Sequence, residues 1–110
     1  MKKQTKALHT DYPRKDAYGA LSMPVYHAAA FEFDNAAEMS DVFCGRVIAP
    51  DYSRVMNPTV TNFEDRVKAL AGASSVVALN SGMAAISNTL FGLVRAGGNI
   101  VTSRHMFGNT

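Results

Sequence analysis

A single cysteine, Cys44, stands in the whole chain. One thiol excludes an intrachain disulfide and any zinc site built from cysteines. Cys44 is therefore expected to pack as a small apolar residue on a helix. No apolar run approaches the ~18 residues that cross a bilayer. The basic opening Met1-Lys2-Lys3-Gln4-Thr5-Lys6 is not followed by an apolar h-region, which argues against a secretory signal. Charge of one sign is scarce as well. Eleven Lys and Arg against nine Asp and Glu leave a net charge of +2, too little for a nucleic-acid footprint. Neither a Gly-x-Gly-x-x-Gly nor a Walker pattern is present, which disfavours a nucleotide-binding βαβ domain. His9 and His27 have no partner at metal-ligand spacing. A reducing, cytoplasmic setting is the expectation.

What is present suffices for one small ordered domain: 110 residues, 47% hydrophobic and 18% charged. Residues 1–30 carry no sustained period and are broken by Tyr12-Pro13, Tyr18-Gly19 and Met23-Pro24. So long a stretch without its own periodic pattern is expected to be an arm docked on something else. Helical signals begin at Asn35, an N-cap with Glu38 as its capping-box partner. Ala36, Met39, Val42 and Phe43 follow at helical spacing until Gly45. After a turn-rich segment over residues 46–58, Asn57 caps a second helix whose first residue is Pro58. Val60, Phe63, Val67 and Leu70 form its apolar stripe, Lys68 lies on its exposed side, and Gly72 stops it. Residues 75–79 predict a buried strand, residues 83–95 a helix with Ile86, Leu90, Leu93 and Val94 inward, and residues 100–102 a second strand. Strand, helix and strand with short connections make a parallel βαβ unit. Two such strands cannot bury both faces alone. The expectation is therefore the start of a larger α/β domain, with residues 1–58 as arm and loop and residues 59–110 as the beginning of the domain.

Three clusters carry chemistry. Asn80-Ser81-Gly82-Met83 falls where a strand meets a helix. The unpaired amides and dipole of a helix start favour an anion, and Gly82 leaves the backbone approachable. An ordinary βα turn capped by Ser81 fits the same residues. Tyr52-Ser53-Arg54 offers a phenol and a guanidinium fork suited to a phosphate monoester, although a lone loop arginine is commonly a solvated surface residue. Past the second strand come His105, read as a hydrogen-bonding structural histidine, and Phe107, whose ring suits stacking on a planar ligand or simple packing. Sites in open α/β sheets gather beyond the carboxyl ends of the strands.

Order and spacing are more specific than any one cluster. Tyr52-Ser53-Arg54-Val55-Met56-Asn57-Pro58-Thr59, then Asn80-Ser81-Gly82-Met83-Ala84-Ala85-Ile86, then Phe107-Gly108-Asn109-Thr110, resembles the Cys/Met-metabolism (trans-sulfuration) family of pyridoxal-phosphate enzymes. Pro24-Val25-Tyr26 and Phe31-Glu32-Phe33 resemble that family's amino-terminal arm, so the likeness runs from about residue 8 to the end. The resemblance implies an α/β fold of the fold-type I transferase class, with a mostly parallel sheet and flanking helices that this chain contains only in part. It implies pyridoxal 5'-phosphate, with its phosphate held by Ser81 and the amides of Gly82 and Met83. Tyr52 and Arg54 would reach the phosphate bound by the neighbouring subunit of a homodimer or homotetramer. Phe107 occupies a position where most members carry a tyrosine stacked on the pyridine ring. Tyr26 and Asn57 would line the active-site wall.

The Phe-Gly-Asn-Thr form looks most like the O-acetylhomoserine sulfhydrylase branch, which makes homocysteine or methionine by γ-replacement. Cystathionine γ-synthase and cystathionine or methionine γ-lyase are the alternatives on the same scaffold. Lys2, Lys3, Lys6, Lys15 and Lys68 do not match the context of the family's Schiff-base lysine. That lysine, the aspartate on the pyridine nitrogen and the substrate-carboxylate arginine would all lie beyond Thr110. These 110 residues alone are expected to be inactive, a non-catalytic fragment at most.

Overall fold

The computed structural model describes residues 2–9 and 17–110; the Tyr12-Pro13 step and Lys15 lie outside the described residues. The chain divides into two compact units, Met1–Val76 and Val77–Thr110. The first holds helices α1 (Lys3–Leu8), α2 (Ala36–Phe43) and α3 (Pro58–Ala71), and the second holds α4 (Gly82–Leu93).

Three of these helices begin where their capping chemistry says they should. The Asn35 side chain accepts from the Glu38 amide at 2.9 Å. Glu38 replies to the Asp34 amide, also at 2.9 Å, so the box closes one residue ahead of the cap. Such a cap contributes ~1 kcal/mol. α2 ends at Phe43, and Gly45 (φ 69°) then turns the chain so that the Arg46 amide reaches the Asp41 carbonyl at 2.8 Å. Asn57 caps α3 through the Thr59 amide at 2.9 Å with Pro58 first in the helix, and Gly72 (φ 65°) closes it in the left-handed region. Ser81 caps α4 through the Ala84 amide at 3.0 Å.

α1 falls within residues 1–30, where the sequence shows no sustained period. It is too short to show a period, and a six-residue helix is marginal in isolation. Tertiary contact holds it: α1 packs against α3, and Arg66 on α3 donates to the Ala7 carbonyl at 3.2 Å. A cation on the last carbonyls of a helix is the favourable end for it. The Phe33 ring meets Phe43 of α2 at 6.2 Å between centroids, within the range where tilted aromatic pairs attract.

The two expected strands do not form. Residues 75–79 and 100–102 make no ladder, and the β-pairing among the described residues is one antiparallel bridge, Ala30 to Tyr52. Two short parallel strands with no third neighbour bury too little to hold a ladder. α4 starts at Gly82 and ends at Leu93, two residues before the expected Arg95, because Val94 is already extended. Among the described residues no apolar side chain is fully buried. Leu93, expected inward, is 79% exposed, and the Val60, Phe63 and Leu70 stripe of α3 is also solvent-facing. Cys44 is exposed beyond the end of α2 rather than packed on it. Lys68 is exposed as expected.

Candidate functional site

In the first unit, the Asn-Pro-Thr string at residues 57–59 has a task for each residue. Pro58 opens α3, where its missing N–H costs nothing. The Thr59 hydroxyl accepts from the Tyr26 amide at 2.8 Å, while the Asn57 amide donates to the Tyr26 carbonyl at 3.1 Å. Tyr26 is thus pinned on both sides of its backbone, with its side chain partly exposed. Asn57 also donates to the Ser53 hydroxyl at 2.8 Å and is the one buried polar residue among those described, 7% exposed. Ser53 continues the chain of bonds. Its hydroxyl donates to the Ala28 carbonyl and its amide to the Ala29 carbonyl at 2.9 Å. The Phe31 amide donates to the Asp51 carbonyl at 2.9 Å, completing the lashing of residues 26–31 to residues 51–59.

On either side of the inward Ser53 stand Tyr52 and Arg54, both exposed. The Arg54 guanidinium carbon lies 5.2 Å from the centre of the Tyr52 ring, a cation–π stack worth roughly 0.5–1 kcal/mol at an exposed position. Among the described residues Arg54 has no ion pair; the ion pair formed there is Arg46 with Asp41 at 2.7 Å. Its N–H fork is therefore open to an external anion. The turn carrying both side chains is closed by the Val55 and Met56 amides donating to the Tyr52 carbonyl at 2.8 and 2.9 Å.

The second unit presents the mouth of α4. Of its leading amides, Ala84 is satisfied by the Ser81 hydroxyl and Ala85 by the Ser81 carbonyl at 3.1 Å. Gly82 and Met83 are the first two helical residues, whose N–H groups have no acceptor inside a helix. Gly82 is not in the left-handed region, so turn geometry does not require a glycine there. A Cβ on Gly82 would meet nothing within 4 Å. The place a side chain would occupy is open, beside two donors at the positive end of a helix.

Phe107 begins a turn closed by the Thr110 amide on the Phe107 carbonyl at 2.8 Å, and its ring is 80% exposed. No hydrogen bond or ring contact joins it to residues 81–83 among the described residues. The His105 amide donates to the Ser103 hydroxyl at 3.1 Å. No cluster of three or more His, Cys, Asp or Glu among the described residues is placed to hold a metal, and no helix there is long and apolar enough to cross a membrane. Nothing local in the sequence marks Ser53 and Thr59 for bonds to the Ala28 carbonyl and the Tyr26 amide, because those partners lie 25 and 33 positions away.

The helix mouth of the second unit, with its two free amides, and the open arginine fork of the first are each suited to an anion. The chain belongs to the Cys/Met metabolism PLP-dependent enzyme family, whose model matches residues 4–110. It is 36% identical over 107 residues to the O-acetyl-L-homoserine sulfhydrylase of Corynebacterium glutamicum, covering 97% of this chain and 24% of that protein. It is 38% identical over 106 residues to an L-methionine gamma-lyase of Fusobacterium nucleatum, covering 96% and 27%. Against the homocysteine/cysteine synthase of Saccharomyces cerevisiae it is 33% identical over 108 residues, covering 96% and 24%. The chain thus spans about a quarter of the length of these relatives. The cofactor of the family is pyridoxal 5'-phosphate.

Proposed function

We propose that these residues form the amino-terminal part of a pyridoxal-phosphate enzyme that exchanges the acetate of O-acetylhomoserine for sulfide or a thiol. The carrying observation is the pair of unpaired amides at Gly82 and Met83, with open space where a Gly82 side chain would stand. They suit a phosphate dianion, and Ser81 holds the helix mouth in shape through its cap. Tyr52 and Arg54, stacked and exposed, reach the phosphate held by the neighbouring subunit of a homodimer or tetramer. Phe107 supplies a flat apolar face for the pyridine ring, and Tyr26 lies on the wall of the substrate pocket beside Asn57. When bound, the cofactor would supply the electron sink for proton removal from the substrate. The chemistry also needs a Schiff-base lysine, and none of the lysines among these 110 residues matches the context of the family's.

A physical argument favours acetate as the leaving group. Phe107 carries no phenol hydroxyl, so this position cannot protonate a departing group. Acetate departs readily as an anion, its acid having a pKa of about 4, whereas a thiol of about 8.5 or above gains more from a proton donor. The relatives nevertheless include methionine gamma-lyases at similar identity. A γ-lyase would convert methionine and water to 2-oxobutyrate, ammonia and methanethiol. The deciding experiment supplies the full-length protein and cofactor with O-acetylhomoserine plus sulfide, and separately with methionine. Release of acetate with homocysteine is expected. 2-Oxobutyrate from methionine, without acetate release in the first mixture, selects the lyase.

A further inference from the structure

Asn57 is buried and its side chain makes three hydrogen bonds. Its acceptor oxygen serves α3, by capping the Thr59 amide at 2.9 Å. The two protons of its amide go elsewhere, to the Tyr26 carbonyl and the Ser53 hydroxyl. Ser53 passes the constraint to the Ala28 carbonyl. Because Ser53 sits between Tyr52 and Arg54, the residue that Asn57 grips is the one whose orientation sets where the two flanking side chains project. A cap needs only the acceptor. The donor side of Asn57 therefore has a separate consequence.

We propose that Asn57 is a positioning residue: through Ser53 it fixes the aim of the Tyr52–Arg54 pair and thereby the affinity for the phosphate of the cofactor. This rests on the reading that Arg54 meets that phosphate. A guanidinium on a long stem loses rotamer freedom when it binds, and a pre-aimed fork loses less per hydrogen bond formed. Freeing Ser53 leaves the Arg54 charge in place but lets its turn rotate. The loss should therefore appear in binding of the phosphate-bearing ligand alone.

The test uses the full-length protein and compares equilibrium binding of pyridoxal 5'-phosphate with that of pyridoxal, which lacks the phosphate. Asn57→Ser keeps a capping hydroxyl for α3 but is too short to reach Ser53 or the Tyr26 carbonyl. Ser53→Ala is the milder second variant and leaves the cap untouched. Each is expected to weaken pyridoxal 5'-phosphate by about tenfold, equivalent to ~1.4 kcal/mol, and to leave pyridoxal within about twofold. Combined with Arg54→Ala, Asn57→Ser should add less than about twofold to the loss from Arg54→Ala alone, as coupled residues do. Equal weakening of both ligands, or additive losses in the double variant, overturns the positioning role and leaves the phosphate reading standing. If Arg54→Ala leaves pyridoxal 5'-phosphate binding unchanged, the phosphate reading itself fails, and this inference with it.

Discussion

Replacing Gly82 with alanine separates the needs of the fold from those of the ligand. In the fold the new methyl meets nothing within 4 Å, and the backbone at 82 lies outside the left-handed region. The substitution should not strain the chain and, by restricting the unfolded ensemble, should stabilise it by about 0.4–1 kcal/mol. The ligand faces the opposite balance. A phosphate oxygen accepting from an amide must come to ~2.7–2.9 Å of the nitrogen, and a methyl on the neighbouring Cα crowds that approach. Loss of one charge-assisted bond costs about 1.5–3 kcal/mol, which corresponds to roughly a 10- to 150-fold rise in Kd. Thermal denaturation of the cofactor-free full-length protein, paired with a pyridoxal 5'-phosphate titration, reads both quantities. A raised Tm with unchanged affinity would falsify the placement of the phosphate at the mouth of α4. A lowered Tm would mean that the space beside Gly82 is filled in the intact protein.

Shared sites make a symmetric oligomer testable by mixing subunits. Arg54→Ala and Gly82→Asp proteins, each inactive, should regain roughly a quarter of native activity when reassembled together, because half the dimers then hold one intact site; no recovery means that both elements come from one subunit. Asn35→Ala removes the bond to the Glu38 amide and should cost about 0.5–2 kcal/mol in denaturant unfolding, with cofactor affinity unchanged. A larger loss would show that α2 carries packing beyond its cap. Phe107→Tyr keeps the flat ring and restores a hydroxyl, so the Kd for pyridoxal should stay within about twofold. A new ability to eliminate methanethiol from methionine in this variant would support the leaving-group argument.

Legibility in the sequence followed the range of each interaction. Asn35, Asn57 and Ser81 were readable as caps because a side chain two to three residues from its target amide closes a bond that neighbouring structure scarcely alters. Gly72 was readable as a stop for the same reason. The free amides of Gly82 and Met83 follow from helix geometry once the start of α4 is known. Resemblance to a family, carried by the spacing of three motifs, named the cofactor.

The tertiary structure decided what depends on distant partners. It turned residues 3–8 into a helix by docking them on α3, and it formed no ladder at residues 75–79 and 100–102, since a strand is defined by a neighbour rather than by its own residues. It also gave Asn57 its bond to the Tyr26 carbonyl, 31 residues away. Local bonds can be read from spacing alone, whereas a bond closing a loop of some thirty residues exists only once the entropy of closing that loop has been met by everything else that folds.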